Sequence, residues 1–482
     1  MLMVREVAGS AQVIARIKRK VRLASGLDEH FVLSQEAMGR GWECLALFAE
    51  RLQDVPPKNI RIVATATLRL AVNAADFVAK ARSILNHDIS IISGEQEAAT
   101  IYLGVAHTSN SDSNRLVIDI GGASTEVIIG NGFNPLVLSS LNIGCVTFLE
   151  RYFTNDIISQ TNFDKAITAA QHELSKLATE YLDIGWLNAV GASGTVQAIQ
   201  EILVAQGYSE EMTLARIEQI KCQAIECQSI DKLRIKGLVN DRRLVFVSGL
   251  AILIAIFKTL KVERMTLAGG ALREGLLYNM MDNMQRTDIR VRTLNSLLIR
   301  YHIDQRHCEI VAEVARNCAS QLKDSWQLDK YEGLDMLNSA ALLHELGLIV
   351  EYRHYHRHGA YILNESELPG FTRAQHKLVT ALVSNHRGAI NHDLIAKQTM
   401  TSCQLAERLT RLLRVAVILS MRRLDEVLPP IKVIGEADKL TLQLPDGWLK
   451  SHPLMKAELA TEIDEQKSAG WTLLVTKITS NS

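Results

Sequence analysis

The 482-residue sequence has no excess of either charge, because 53 lysine and arginine residues are matched by 53 aspartate and glutamate residues. A protein without a strong positive field has no general electrostatic attraction for nucleic acid or for an anionic membrane surface. We therefore expect neither a nucleic-acid duplex nor a membrane among its partners.

The sequence also lacks a disulfide pattern and a run of membrane-spanning length. Its seven cysteines are an odd number, are scattered and form no CxxC pair, which indicates reduced thiols and a cytoplasmic location. The longest apolar run, "LVFVSGLAILIAIF" at 244–257, is shorter than the roughly 20 residues that a membrane span needs. It predicts a buried core helix in an ordinary globular chain of two to four domains.

Up to about residue 100 the sequence alternates strand and helix patterns. The segments "QVIARIKRKVRL", "IRIVATAT" and "ISIISG" predict strands, the second of them buried. "SQEAMGRGWECLALFAERLQDV", with Ser34 as a cap, and "AADFVAKARSIL" predict helices. Such alternation is typical of an α/β layered fold.

Three glycine turns then follow strand-like runs, in "RLVIDIGGASTEVIIGNG", "NAVGASGTVQAIQEIL" and "RMTLAGGALREGLLYNM". Backbone N–H groups at such a turn can surround phosphate oxygens, and a following helix N-terminus favours anions. One turn of this kind is a common connector, whereas three in one chain indicate a phosphate-bearing ligand. The candidate phosphate-binding residues are Gly121, Gly122, Ser124, Thr125, Gly191, Ser193, Gly194 and Thr195.

Acidic residues accompany these turns. Asp119 would repel phosphate unless a cation such as Mg²⁺ bridged the two, although it could instead only cap the turn. Glu126, on the outgoing strand, either belongs to the same metal site or faces solvent. Glu95 and Glu97 open a predicted helix in "SGEQEAATIYLG", where the helix dipole alone would favour them. Beyond residue 290 helices follow one another, and after Pro429 the pattern is strand, strand, helix, strand.

These motifs, in this order, resemble the exopolyphosphatase and guanosine pentaphosphate phosphohydrolase family. The similar pieces include "VATATLRLAVNA", "ISGEQEAATIYLGVAHT", "LVIDIGGASTEVI", "VGASGTVQA" and "MTLAGGALREGL". The resemblance implies an α/β fold with two ribonuclease-H-like domains of the actin-like superfamily, then a helical HD-like domain and a small α/β domain. We place these domains at 1–101, 102–288, 289–427 and 428–482.

The resemblance also implies an activity and residue roles. Glu97 in "EQEA" would activate the attacking water, Arg69 in "TLR" would contact phosphate, and Asp119 and Glu126 would hold Mg²⁺. The implied reaction is hydrolysis of the 5′-terminal phosphate of guanosine pentaphosphate (pppGpp) to guanosine tetraphosphate (ppGpp), in the stringent response. The open alternatives are an exopolyphosphatase, a sugar- or acetate-kinase-like phosphotransferase, and an impaired alarmone-binding protein.

In the helical domain the sequence departs from the pattern of related hydrolases. Those HD hydrolases bind metal with a His-Asp pair, which is His344-Glu345 here. Glutamate can bind metal, but its longer side chain alters the geometry. We interpret this domain as architectural and as a dimerisation surface for a homodimer, with a metal site as the alternative.

The start of the sequence also departs from the pattern of the phosphohydrolase family. "MLMVREVAGS" matches the second strand of the glycine-turn unit, and the strand and phosphate loop that precede it in the family are not in this sequence. We expect in-frame upstream codons to encode a short strand ending in an Asp-x-Gly-Ser-like turn. We also expect the form starting at Met1 to be poorly soluble and nearly inactive, because one side of the phosphate clamp would be missing. Expression of both forms, compared by yield and phosphate release, tests this; equal activity would contradict it.

Overall fold

The computed structural model describes residues 1–7, 10–108, 113–281, 289–424 and 428–478. Its internal contacts divide the chain into two compact units, 1–5 with 13–287 and 6–12 with 288–482. The residues Ala8 and Gly9 of "VREVAGS" and the predicted domain ends at 288 and 427 lie outside the described residues.

The chain before residue 282 alternates strands and helices, as the sequence predicts. In order, these are β1 (Leu2–Val7), β2 (Ser10–Arg16), α1 (Gln35–Leu52), β3 (Val63–Ala64), α2 (Ala66–Leu70), α3 (Ala74–Leu85), β4 (Ser90–Ile91), α4 (Gly94–Ala106), β5 (Arg115–Ile120), β6 (Thr125–Asn131), β7 (Asn134–Leu141), α5 (Cys145–Tyr152), α6 (Gln160–Ile184), β8 (Asn188–Gly191), α7 (Gly194–Ala205), α8 (Leu214–Glu226), α9 (Arg243–Thr259), β9 (Thr266–Leu267) and α10 (Leu272–Met280).

The centre of the first unit is a five-stranded mixed sheet in the order β7-β6-β5-β8-β9. β5, β6 and β7 are antiparallel neighbours, and β8 and β9 run parallel to β5. Alternate residues of β5 point to opposite faces, so Leu116 and Ile118 join one apolar cluster and Val117 joins the other. Both faces are covered, which explains why β5 is apolar nearly throughout.

Helix α9 contains the longest apolar run and is the core helix that the sequence predicts. Its residues from Phe246 to Phe257 are all buried, in the cluster that also contains α6 and one face of the sheet. Among the described helices, none is long and apolar enough to cross a membrane.

Three strand predictions in the first hundred residues are wrong in extent. The strand predicted over 12–23 ends at Arg16, and those over 60–67 and 89–94 shrink to β3 and β4. β3 pairs with β4, and within the described chain these two form a sheet of two strands, which gains little stability alone. The following segment Ala66–Leu70 is helical instead, and it buries Ala66 and Leu68.

The second unit begins with helices, as predicted, and ends with a small sheet. Its elements are α11 (Ile289–Arg300), α12 (Gln305–Ser320), α13 (Lys323–Trp326), α14 (Gly333–Leu343), α15 (Tyr355–Asn364), α16 (Arg373–Asn385), α17 (His392–Lys397), α18 (Cys403–Leu419), β10 (Lys432–Glu436), β11 (Lys439–Leu444), α19 (Pro453–Ser468) and β12 (Thr472–Lys477). One continuous apolar core joins the helices to the sheet.

The small sheet has the order β10-β11-β12, with β10 and β11 antiparallel and β11 and β12 parallel. β11 buries every second side chain, Leu440, Leu442 and Leu444, as expected for a strand with one face on a core.

The division into four domains stays a prediction. Its first boundary, between 101 and 102, falls inside α4. Ala98, Ile101 and Tyr102 of this helix pack against the five-stranded sheet. The helix that carries Glu97 is therefore fixed against the strands that carry Asp119 and Glu126.

Candidate active site

The turn between β5 and β6 brings two acids side by side. Asp119 and Glu126 are direct partners in the antiparallel register of these strands. The turn is closed by the N–H of Gly121, which donates to the carbonyl of Ser124 at 2.8 Å. The register therefore places both carboxylates at one end of the sheet.

Glu126 does not face solvent; it is 1% exposed. The hydroxyls of Ser124 and Ser140 both donate to its Oε1, at 2.7 and 2.8 Å. Two donors on one oxygen fix the orientation of the carboxylate. Burial raises the pKa of Glu126 to about 8, with further contributions from the charges of Glu97 and Asp119.

Glu97 lies in the first turn of α4, where a capping box fixes the backbone. Ser93 and Gln96 each accept a hydrogen bond from the other's backbone N–H. Glu97 is 6% exposed, and its Oε2 accepts from Nη1 of Arg69 at 3.2 Å. Burial raises the pKa of Glu97, and Arg69 partly opposes this rise. The site thus holds a buried carboxylate beside one cation.

The pKa of Asp119 is raised by burial and by neighbouring carboxylates. The surrounding protein raises the pKa of Asp119 to about 7, mainly by burial, and the charges of Glu97 and Glu274 contribute to this rise. Like charges this close destabilise one another unless protons or a cation neutralise them. Carboxylate oxygens suit a hard divalent cation, so Asp119 and Glu126 fit the predicted metal role.

The first glycine turn differs from the prediction in how its side chains are used. Ser124 is 2% exposed, and its hydroxyl donates to Glu126. Thr125 is fully buried, and its hydroxyl donates to the carbonyl of Ile143 at 2.6 Å. Phosphate accepts hydrogen bonds and needs free donors, so neither hydroxyl suits it. The Gly121 N–H is also occupied, because it donates to the carbonyl of Ser124. The predicted phosphate role is therefore left to Gly122 and the other backbone groups of the turn.

The second glycine turn joins β8 to α7. Gly191 ends the strand, and Ser193 caps the helix by accepting from the N–H of Val196. Thr195 is 7% exposed and packs against Gly249 of α9. Gly194 is the first helical residue, and this turn therefore presents a helix N-terminus, which favours an anion.

An arginine, Arg242, lies beside this turn, and the sequence analysis did not identify it. A Cβ at Gly194 would collide with the guanidinium of Arg242, so the arginine lies directly over the turn. Burial raises the pKa of the Cys145 thiol to about 11, and Arg242 and Asp119 both act electrostatically on that thiol. Arg242 thus lies near both turns. No local motif marks it, because only the fold brings Arg242, the residue before α9, to α7.

Arg242 and another basic residue, Arg273, both act electrostatically on Lys18. Burial lowers the pKa of Lys18, and the charges of Arg242 and Arg273 lower it further. Cations that repel one another in this way form an attractive site for a polyphosphate. Ser140 and Glu274 are the other residues of the site that sequence patterns missed, and neither was marked by its own motif.

Within this unit the chain therefore combines acids that can hold a cation, basic groups beside a helix N-terminus, and a buried glutamate that can accept a proton. Transfer of a terminal phosphoryl group to water needs these three functions.

Comparison with known proteins gives matches over most of the chain. The sequence model of the Ppx/GppA phosphatase family matches residues 2–284, and that of Ppx/GppA phosphatase domain III matches residues 289–463. A relative from Pseudoalteromonas translucida, named guanosine-5′-triphosphate,3′-diphosphate pyrophosphatase, is 54% identical over 98% of this chain and 95% of its own length. A relative of the same name from Aeromonas hydrophila is 50% identical over the same shares.

One solved structure is similar in fold to part of this chain. The crystal structure of an exopolyphosphatase from Cytophaga hutchinsonii aligns with a TM-score of 0.53 at 23% identity. The alignment covers 58% of this chain and 94% of that one.

Proposed function

The chain belongs to the Ppx/GppA phosphatase family, and we propose that it hydrolyses the 5′-terminal phosphate of pppGpp to give ppGpp and phosphate, in the stringent response. The observation that carries this proposal is the 54% identity, over nearly the whole chain, to a relative named for that substrate. The pairing of Glu97 with Arg69, beside Asp119 and Glu126, supports the chemistry.

In the proposed mechanism Glu97 accepts the proton of the attacking water as the oxygen bonds to the terminal phosphorus. The bond from that phosphorus to the bridging oxygen breaks, and the oxygen leaves on the diphosphate group. Arg69 and Arg242 offset the negative charge that shifts during transfer. The capping box at Ser93 keeps Glu97 in one position, so little rearrangement is needed.

We propose Mg²⁺ as the cation, held by Asp119 and Glu126. When bound, Mg²⁺ would neutralise phosphate oxygens and polarise the bond to the leaving group. The hydrogen bonds from Ser124 and Ser140 keep Glu126 oriented toward this role. Mg²⁺ usually binds through one or two carboxylates together with substrate phosphates, and Asp119 and Glu126 can supply the carboxylates.

The substrate is tested by phosphate release from equal concentrations of pppGpp and of polyphosphate, with Mg²⁺. We expect a clear preference in kcat/KM for pppGpp and formation of ppGpp. The basic group of Lys18, Arg242 and Arg273 would also suit a longer polyanion. If the chain hydrolysed polyphosphate efficiently and left pppGpp untouched, it would be an exopolyphosphatase instead. If it bound pppGpp without hydrolysing it, an alarmone-binding role would replace the proposal.

Asp119→Asn is expected to raise the Mg²⁺ concentration needed for half-maximal activity. The amide removes one of two anionic ligands. The wild-type requirement should also rise as pH falls from about 8 to 6, because a pKa of about 7 means that Asp119 takes up a proton over that range and metal binds the deprotonated form. Mg²⁺ titrations of phosphate release at both pH values measure this.

The control for Asp119 is Asp54→Asn, an exposed residue near the end of α1. It should leave the titration unchanged. If Asp119→Asn also left it unchanged, Asp119 would not be a metal ligand.

We also propose the finer architecture: two actin-like domains before residue 289, and a helical HD-like domain that supports a homodimer. The match of the domain III model to residues 289–463 supports a distinct helical module. Free cysteines in the described chain support a reducing compartment and so a cytoplasmic location. Light scattering on the purified chain tests the dimer, and a monomer at all concentrations would contradict it.

A further inference from the structure

The segment "EYRHYHRHGAY" at 351–361 places cationic and aromatic side chains on the surface of the second unit. Its last part begins α15, in which residues three and four apart share a face. Arg357 and Tyr361 are four residues apart and both exposed, so they lie on the same outer face of this helix. Tyr352 and Arg353 are exposed just before the helix begins. The chain therefore presents an arginine with a tyrosine before the helix and again within it.

A third arginine reaches this surface from the end of α16. Arg387 lies two residues beyond that helix, and its guanidinium carbon is 5.5 Å from the centre of the Tyr352 ring and 4.9 Å from that of Tyr355. The two tyrosine rings are 6.1 Å apart. A guanidinium group over aromatic rings forms a platform that is both cationic and partly apolar.

Within the described residues, the three arginines of this surface lack acidic partners. Arg353, Arg357 and Arg387 form no ion pair with a carboxylate there. The acid next to them in the sequence, Glu351, accepts a hydrogen bond from the backbone N–H of Tyr352 at 2.8 Å. Arginines that no acid neutralises attract an anionic partner.

The start of α15 adds to the positive potential of this surface. His354 is exposed there, and its side chain does not cap the helix. Loss of hydration lowers the pKa of His354, and the charges of the same three arginines and of His358 lower it further. The positive end of the helix dipole lies at the same place. Phosphate groups are the anions that such a combination favours.

The exposed aromatic rings favour a partner that also carries bases. Tyr352 is 68% exposed and Tyr361 is 70% exposed. A simple polyanion would use the arginines alone, whereas nucleic-acid bases stack on aromatic rings and on guanidinium planes. The surface is open, and a free nucleotide is usually held in a concave pocket instead. A nucleic-acid strand fits both the charges and the rings.

A second copy of the chain fits this surface less well. A two-fold dimer uses the same patch on both subunits, so it would set the same arginines against each other. The zero formal charge of the whole chain does not oppose a nucleic-acid strand, because binding depends on the local potential.

We propose that this surface, formed by Tyr352, Arg353, Arg357, Tyr361 and Arg387, binds single-stranded RNA. One base would stack on Tyr361 and another on the platform of Tyr352 and Arg387, while Arg353 and Arg357 bind phosphates. RNA is the single-stranded nucleic acid of the reducing compartment proposed above. Helix α15 has 10 residues and is about 15 Å long, so the surface accommodates a few nucleotides. The proposal does not depend on the phosphatase activity.

The test measures binding of a short fluorescent single-stranded RNA of mixed sequence to the full chain, by fluorescence anisotropy. The RNA has a 5′-hydroxyl end, so it offers no terminal phosphate to the phosphatase site. We expect the logarithm of the binding constant to fall with the logarithm of salt concentration with a slope of about −2, because each of three arginines contributes about 0.7 for a single strand. The same RNA in a duplex should bind more weakly, since its bases are paired and stacked.

Arg353→Gln and Arg357→Gln should each reduce the size of this slope by about 0.7. Tyr361→Leu should weaken binding by about fivefold or more, because it removes a stacking ring. Tyr361→Phe should bind like the wild type, since a phenyl ring also stacks. The control is Arg82→Gln, an exposed arginine of α3 paired with Asp88, which should change neither the affinity nor the slope.

Three results would overturn the proposal. One is the absence of binding of the single strand by the folded chain at low salt. Another is an affinity and slope that survive Arg353→Gln and Arg357→Gln, which would place the RNA on other residues. The third is equal binding of duplex and single strand that Tyr361→Leu leaves unchanged, since the surface would then bind polyanions such as polyphosphate through its arginines alone.

Discussion

Replacing Glu97 by glutamine is expected to lower phosphate release from pppGpp by about 10²–10⁴-fold while the fold stays intact. Glutamine keeps the size of the side chain and its place in the first turn of α4, but it cannot accept a proton. Burial raises the pKa of Glu97, which makes its carboxylate a stronger base than an exposed glutamate. The change therefore removes the proposed base and the negative charge opposite Arg69, while the amide oxygen can still accept a hydrogen bond from that arginine.

The measurement is kcat for phosphate release, with circular dichroism and a thermal melt to verify the fold. It is made on the 482-residue chain, and the rate of the wild-type chain is the reference.

Glu95→Gln is the matched control, since Glu95 lies in the same helical turn but is exposed. It should cost little, because a first-turn acid contributes mainly through the helix dipole. Equal losses at both positions would mean that charge at this helix end matters, and that Glu97 is not the base.

The elements that the sequence predicts well are those with local signals. Helix α1 begins after Ser34, whose hydroxyl accepts from the N–H of Ala37, and α3 has the predicted limits. Helix α9 follows from the length of its apolar run alone. A cap, a helical period and a long apolar segment all act within a few residues, so neighbours in the sequence are enough to identify them.

The strands of the first hundred residues could not be delimited in the same way. The segments that contain β3 and β4 are rich in isoleucine and valine, as β5 is, yet each strand is only two residues long. β5 has hydrogen-bonded neighbours on both sides, whereas β3 and β4 form a two-stranded sheet in the described chain. Strand length depends on those neighbours, which come from distant parts of the sequence.

In the active site, too, residues that are close in the sequence could be predicted and residues from distant elements could not. Asp119 and Glu126 could be paired from the sequence, because a short turn joins their strands. Arg242 and Ser140 could not, since each reaches the site from a separate element. The hydroxyls of Ser124 and Thr125 suited phosphate by residue type, and only the structure showed their internal acceptors.

The second large effect is expected in the second unit, at a buried ion pair between α18 and α19. Nε and Nη2 of Arg414 donate to the two carboxylate oxygens of Glu462, both at 2.7 Å. Nη1 donates to the carbonyl of Asn385 at 2.7 Å, and Gln466 donates to Glu462 at 2.8 Å. The side chains of Arg414 and Glu462 are 1% and 5% exposed. The pair therefore links α18 to α19 without access to water.

Glu462→Ala is expected to lower the free energy of unfolding of this unit by about 3–5 kcal/mol, because it leaves the Arg414 charge buried without its partner. Differential scanning calorimetry of the full chain, with hydrogen exchange to locate the loss in α18 and α19, measures this. Asp446→Asn is the control, since its ion pair with Lys477 has both side chains 69% exposed and should contribute nothing measurable.

The double change Arg414→Met with Glu462→Leu separates charge from packing. It should recover much of the stability, because two apolar side chains need no partner. If the double variant were as unstable as Glu462→Ala, lost packing would explain the effect and the ion pair would not.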